Sequence, residues 1–193
     1  MYEEGLREGR AASDLPQISL SCRGLGGLAL SQGEYVTART FIEEALSAAR
    51  QSKDKFGVAR SLNMLGDLAR SLGDNAAARS LCQEALEICR QLGNKFAVAN
   101  ILNNLAAAEL SDGDYTAAYS HFGEGLTLAQ GSGHKIAGDK IAISYSLDGF
   151  AALAVRRGET ELAAKLAGAA EHLRETINFY ISEPAERRFR DVT

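Results

Sequence analysis

Apolar residues in this chain fall in helical rather than strand spacing. The clearest stretch is Ala78, Leu81, Cys82, Ala85, Leu86 and Cys89, at offsets of 0, 3, 4, 7, 8 and 11. Positions so spaced share one side of a helix, so the segment predicts an amphipathic helix with a single apolar stripe. The text before it, from about Lys55 to Leu72, carries Val58, Ala59, Leu62, Leu65 and Ala69 in like spacing and predicts a second helix. Between the two, Gly73 allows the positive backbone dihedral that ends a helix, and Asp74 can cap the next one. The pair therefore folds back as an antiparallel hairpin.

That hairpin recurs. Gly-acidic pairs stand 40 residues apart at Gly33-Glu34, Gly73-Asp74 and Gly113-Asp114, and again, after five extra residues, at Gly158-Glu159. Five residues after each glycine stand Ala38, Ala78, Ala118 and Ala163, and twelve after it Ala45, Ala85, Gly125 and Ala170. Small residues at fixed places let paired helices approach closely, so the period predicts an all-α solenoid of stacked antiparallel helix pairs. The repeats span 14–53, 54–93, 94–133 and 134–178, with a terminal cap over 179–193, and all belong to one array. Shifting Ile42-Glu43-Glu44-Ala45-Leu46 back by one period lays it on Tyr2-Glu3-Glu4-Gly5-Leu6, which places Met1 inside the second helix of an earlier repeat. Residues 1–12 thus read as a half repeat that looks cut, or as an N-terminal capping helix. Near the other end, Ser182 as cap and Pro184 in the first turn suit a short final helix.

Within each repeat the residues resemble the tetratricopeptide repeat. The second repeat supplies Leu65, Gly66, Gly73, Ala78, Cys82 and Ala85; the third Leu105, Ala106, Gly113, Tyr115, Ala118 and Phe122. The first is similar through Leu25, Gly26, Gly33, Tyr35, Ala38, Ile42 and Ala45, and the fourth through Phe150, Ala151, Gly158, Ala163 and Ala170. The resemblance implies a right-handed superhelix whose first helices line a concave groove that binds an extended peptide or a partner helix. The period of 40 is that of the family's long-helix variant. The stretch Leu166-Ala167-Gly168-Ala169-Ala170-Glu171-His172-Leu173-Arg174-Glu175, followed by Pro184-Ala185-Glu186-Arg187, is similar to the repeat arm of bacterial ATPase-linked transcriptional regulators of the LuxR and antibiotic-regulator type. It implies a sensing arm of a larger regulator.

On that frame the positions two residues before each repeat's consensus Leu or Phe are Arg23, Asn63, Asn103 and Asp148, with Arg60, Asp67, Arg70, Asn100, Asn104 and Tyr145 as neighbours. A ladder of amides can donate to and accept from a peptide backbone without reading its side chains, and the arginines can engage carboxylates. Asparagine is a poor helix former, yet Asn100, Asn103 and Asn104 share one predicted helix. The alternative for all ten is a solvated helix stripe.

Composition narrows the function further. A net charge of −4 with one short terminal arginine cluster, Arg187, Arg188 and Arg190, gives no basic stripe for nucleic acid. The start lacks a signal-peptide core and no run suggests a membrane span, so a cytoplasmic protein without direct nucleic-acid or membrane contact is expected. Cys82 and Cys89 sit on the apolar stripe and read as buried packing thiols, as does Cys22. His121, His134 and His172 have no ligand spacing, so neither metal nor other cofactor is expected. Gly24-Leu25-Gly26-Gly27 follows no strand, and Gly131-Ser132-Gly133-His134-Lys135 reads as an inserted loop rather than a phosphate cradle. No catalytic constellation stands out. The expected function is a non-enzymatic scaffold that binds a protein or peptide; the alternative is a self-association module that forms homo-oligomers through exposed array ends.

Overall fold

The computed structural model describes residues 1–131 and 137–177, and all structural statements concern these. The expected loop at 132–135 and the final helix after Ser182 lie outside them. The described chain is all-α, with helices α1 (Tyr2–Ala12), α2 (Leu15–Ser31), α3 (Tyr35–Gln51), α4 (Lys55–Ser71), α5 (Asn75–Gln91), α6 (Lys95–Ser111), α7 (Tyr115–Gly131), α8 (Ala137–Arg156) and α9 (Thr160–Glu175). They group into two compact units, Met1–Leu92 and Gly93–Thr193. In the first, α2 pairs with α3 and α4 with α5, while α1 packs on α2 and α4 on both α2 and α3. In the second, α6 pairs with α7 and α8 with α9, with α8 also against α6 and α7.

The turns form for the expected reason. Gly73 has φ of +82°, which lets the Asp74 amide donate to the Ala69 carbonyl at 2.9 Å and close the end of α4. Asp74 and Asp114 then accept from the backbone amides of Ala77 and Ala117 at 3.0 and 3.1 Å. Glu34 and Glu159 make no such side-chain bond, since their extra methylene spoils the short reach that caps a first turn. A second cap series, unread in the sequence although also 40 residues apart, starts α2, α4 and α6. Asp14, Asp54 and Asn94 accept from the amides of Gln17, Gly57 and Ala97.

The small residues are where the repeat requires them. Ala38, Ala45, Ala78, Ala85, Ala118, Ala163 and Ala170 are all buried. One position on the second helix of the first three pairs, Ile42, Cys82 or Phe122, is no more than 1% exposed and lies close to a small residue of its own first helix. A Cβ on Gly26 would come within 2.6 Å of Ile42, and one on Gly66 within 2.7 Å of Cys82. Within each unit Ile42 and Phe122 also sit near the following first helix, and there bulk is matched. Phe122 fills the space over Gly149, where any Cβ would overlap its ring, and Tyr2, one period before Ile42, covers Gly24 in the same way. The longer Met64, at the repeat position of Gly24 and Gly149, packs against the cluster that contains Ile42.

Cys22, Cys82 and Cys89 are buried and unbridged, as the apolar stripe requires. Burial first, and then the negative charge of Glu44, pushes the Cys22 thiol up to about 12, and burial raises that of Cys89. Neither is a thiolate at neutral pH, so these two side chains serve packing.

Candidate functional site

The first helices of the pairs carry every candidate residue, and seven of the ten fall at two repeat positions. One contains Arg23, Asn63, Asn103 and Asp148, which the sequence places on an open groove. This line is turned inward. Asn103 is 4% exposed, its Nδ2 donates to the Ala142 carbonyl at 2.8 Å and its Oδ1 accepts from Ser146 Oγ at 2.8 Å. Both ends of the amide are thereby committed to α8. The groove assignment of Asn103 is corrected on this ground: its position points into the seam between neighbouring first helices. Asp148 is likewise engaged, accepting from Arg174 of α9 at 2.6 Å in a pair whose side chains are 12% and 15% exposed. Asn63 is half-buried and its Oδ1 lies 3.9 Å from the Cys82 thiol of α5.

Burial raises the Asp148 carboxyl above the usual carboxylate range, against the pull of Arg174 and with some help from the negative charge of Glu171. The folded chain therefore keeps this proton to higher pH than the unfolded chain does. Its contribution favours folding fully below the ordinary aspartate value of about 3.9 and is lost as pH rises through the raised folded value. Melting curves of the parent and Asp148→Asn chains over a pH series test this. The variant gains stability relative to the parent as pH rises from about 3 toward neutrality, and a pH-independent difference would contradict the assignment.

Arg23 is 9% exposed and its one described hydrogen bond is a donation to Ser19 Oγ at 2.6 Å; its Nε has no partner. Ser19 in turn donates to the Ala45 carbonyl. No carboxylate lies within ion-pair distance of Arg23 among the described residues. Desolvation lowers its guanidinium pKa, the positive charge of Arg60 lowers it further, and Asp54 partly offsets both. Asp54 is already occupied as the cap of α4.

The second line is more open to solvent and consists of Leu20, Arg60, Asn100 and Tyr145. Leu20 is 47% exposed, and exposed Arg60 lies 5.8 Å from the centre of the Phe56 ring. Half-buried Asn100 turns its Nδ2 back to the Phe96 carbonyl at 3.0 Å, and Asn104 and Tyr145 are half-buried. Arg70 and Asp67 pair with each other on α4 at 2.9 Å, with side chains 9% and 16% exposed, so that arginine is already neutralised. Within residues 1–92 the structure thus brings together Arg23, Arg60 and Phe56, with Leu20 on the same repeat line as Arg60. Leu20 and Phe56 were missed because an apolar side chain suggests core; the period, which aligns Leu20 with Arg60, was the available signal. No group of three or more His, Cys, Asp or Glu among the described residues could hold a metal ion. No described helix is long and apolar enough to cross a membrane.

Helical hairpins repeated at a fixed period, with small residues buried at fixed places, define a helical-repeat scaffold. The tetratricopeptide repeat profile matches residues 17–91 and 64–131, well over half of the chain, and the chain belongs to that family. It is similar in structure to the crystal structure of BtubC (BKLC) from P. vanneervenii, with a TM-score of 0.65 and 22% identity, covering 86% of this chain and 67% of that one. At that identity the likeness shows the fold alone. Comparison with curated proteins found no match. Repeats of this family generally mediate protein–protein interaction and are typically non-catalytic.

Proposed function

We propose that the chain is a protein-binding scaffold that holds an acidic segment of a partner against the first-helix face of residues 1–92. The observation that carries this reading is the pair Arg23 and Arg60. A buried guanidinium with an unpaired Nε and a like-charged neighbour is electrostatically incomplete, and a carboxylate is the group that completes it. Phe56 and Leu20 supply apolar surface for the same segment. The likeness of Leu166–Glu175 to the arms of bacterial regulators supports a cytoplasmic sensing arm that reads a partner protein.

The test is titration of a labelled Glu-rich decapeptide, and of its Gln counterpart, into the parent and Arg60→Ala chains. Arg60 is exposed, so its loss leaves stability within about 0.5 kcal/mol. The acidic peptide binds, weakens with added salt, and loses roughly tenfold affinity in the variant. Equal binding of the Gln peptide, or an unchanged affinity in Arg60→Ala, refutes the proposal.

A further inference from the structure

Within each unit the seam between the two first helices carries a polar pair at the same repeat positions, and the two pairs differ. In the second unit Asn103 of α6 and Ser146 of α8 are bonded to each other: Ser146 Oγ donates to Asn103 Oδ1 at 2.8 Å, and Asn103 Nδ2 donates to the Ala142 carbonyl. In the first unit those positions hold Arg23 of α2 and Ser61 of α4, ten and twelve residues before Gly33 and Gly73, as Asn103 and Ser146 stand before Gly113 and Gly158. Helix α4 packs on α2 as α8 does on α6. Here the pair is unsatisfied. Arg23 is 9% and Ser61 0% exposed, yet neither Arg23 Nε nor Ser61 Oγ has a hydrogen-bond partner. An amide offers the serine hydroxyl an acceptor, whereas a guanidinium offers donors alone. Were Ser61 to accept from Arg23, its own proton would still lack an acceptor. Buried donors without one lower stability.

We propose that Arg23 Nε–H and Ser61 Oγ–H form a two-donor site in the α2–α4 seam that takes one carboxylate, supplied by an aspartate or glutamate of the acidic segment. This rests on the reading of residues 1–92 as a scaffold for such a segment, and it names the place of the carboxylate. A carboxylate brings two acceptor oxygens and one negative charge, which match two donors and an unbalanced positive charge. The far end of the guanidinium is already held: Arg23 Nη1 donates to Ser19 Oγ at 2.6 Å, and Ser19 Oγ donates in turn to the Ala45 carbonyl at 3.0 Å. The Nε edge is left for a ligand. Exposed Arg60, next to Ser61 in the chain, acts on Arg23 as a like charge and marks the side on which a carboxylate is attracted. Asp54, whose charge also reaches Arg23, is committed to the Gly57 amide as the cap of α4. The first seam thus lacks the neutral pair that closes the second, and the arginine in its place provides the binding charge.

The full chain is titrated with the labelled Glu-rich decapeptide by fluorescence anisotropy, and melted in its absence. Arg23→Asn installs in the first seam the amide of the second. It is expected to melt above the parent, because a buried charge leaves and Ser61 gains an acceptor, and to bind the peptide roughly tenfold or more weakly. Ser61→Ala removes only the second donor. It is expected to melt at or above the parent and to lose roughly tenfold in affinity. A purely structural role would move the melts and leave affinity unchanged. Parent-like affinity in both variants overturns the proposal, and if Arg60→Ala still weakens the peptide, the scaffold reading survives that loss. Melting of Ser61→Ala below the parent also overturns it, since the hydroxyl would then have a partner within the chain. A Glu peptide that binds the parent no better than its Gln counterpart removes both readings.

Discussion

Phe122→Ala lowers the stability of the chain by about 3–5 kcal/mol in urea denaturation followed by circular dichroism. The ring is 1% exposed, lies 5.9 Å from the centre of Phe150 in a tilted contact, and occupies the volume left by the missing side chain of Gly149. Its removal empties a site bounded by three helices, α6, α7 and α8, that cannot all move in to fill it. Gly149→Ala probes the same contact from the opposite side. Alanine improves helix propensity by up to about 1 kcal/mol, but its methyl group has no room beneath the ring, and overpacking costs roughly 1–3 kcal/mol. These two effects make the single variant a poor readout, so the interaction is measured by a double-mutant cycle. Gly149→Ala is expected to cost less in a Phe122→Leu background than in the parent. Additive costs would mean that ring and glycine do not share the space assigned to them.

Asn103→Ala is expected to destabilise by about 2–3 kcal/mol, while Asn100→Ala, three residues earlier on the same helix, is neutral or slightly stabilising. The first variant removes both hydrogen bonds between α6 and α8 at Asn103, leaves buried polar atoms short of partners and opens a small cavity. The second removes only a bond from Asn100 to its own helix and replaces a poor helix former by the best. Thermal melts of the two variants decide the matter, and similar midpoints would refute the assignment of Asn103 to the seam. An Asn103→Asp chain sharpens the comparison. Its carboxylate can still accept from Ser146 but has no proton to offer the Ala142 carbonyl, so it too melts below the parent.

These two asparagines also mark how far the sequence could be read. Hairpins, their turns and the buried alanines follow from periodicity, because a stripe spaced for a helix and a glycine able to adopt positive φ have few other uses. Polar residues on long helices are different: 3.6 residues per turn separates one face from another by a single step, and a half-turn error in register exchanges surface for seam. Asn103 is the example: at the repeat position it shares with Arg23, Asn63 and Asp148, its amide meets α8. Leu20 and Phe56 failed to register for the converse reason, being apolar at exposed or half-buried places. Arg174, the partner of Asp148, stands on another helix, and nothing in their spacing links the two.

The matching of bulk along the seams bears on a hazard peculiar to repetitive chains, which is that a hairpin can join the wrong neighbour during folding. Gly24 and Gly149 each admit a whole aromatic ring, Tyr2 and Phe122 respectively, whereas Met64, at the same repeat position, packs against a cluster that contains the smaller Ile42. Were the third pair's Phe122 to meet Met64, two large side chains would claim one site; were Ile42 to meet Gly149, a void would remain. Both mistakes carry a packing penalty. Within each unit, side-chain volume thus favours the native neighbour of a hairpin, and a version with Ile42 and Phe122 exchanged would fold less faithfully despite an unchanged composition.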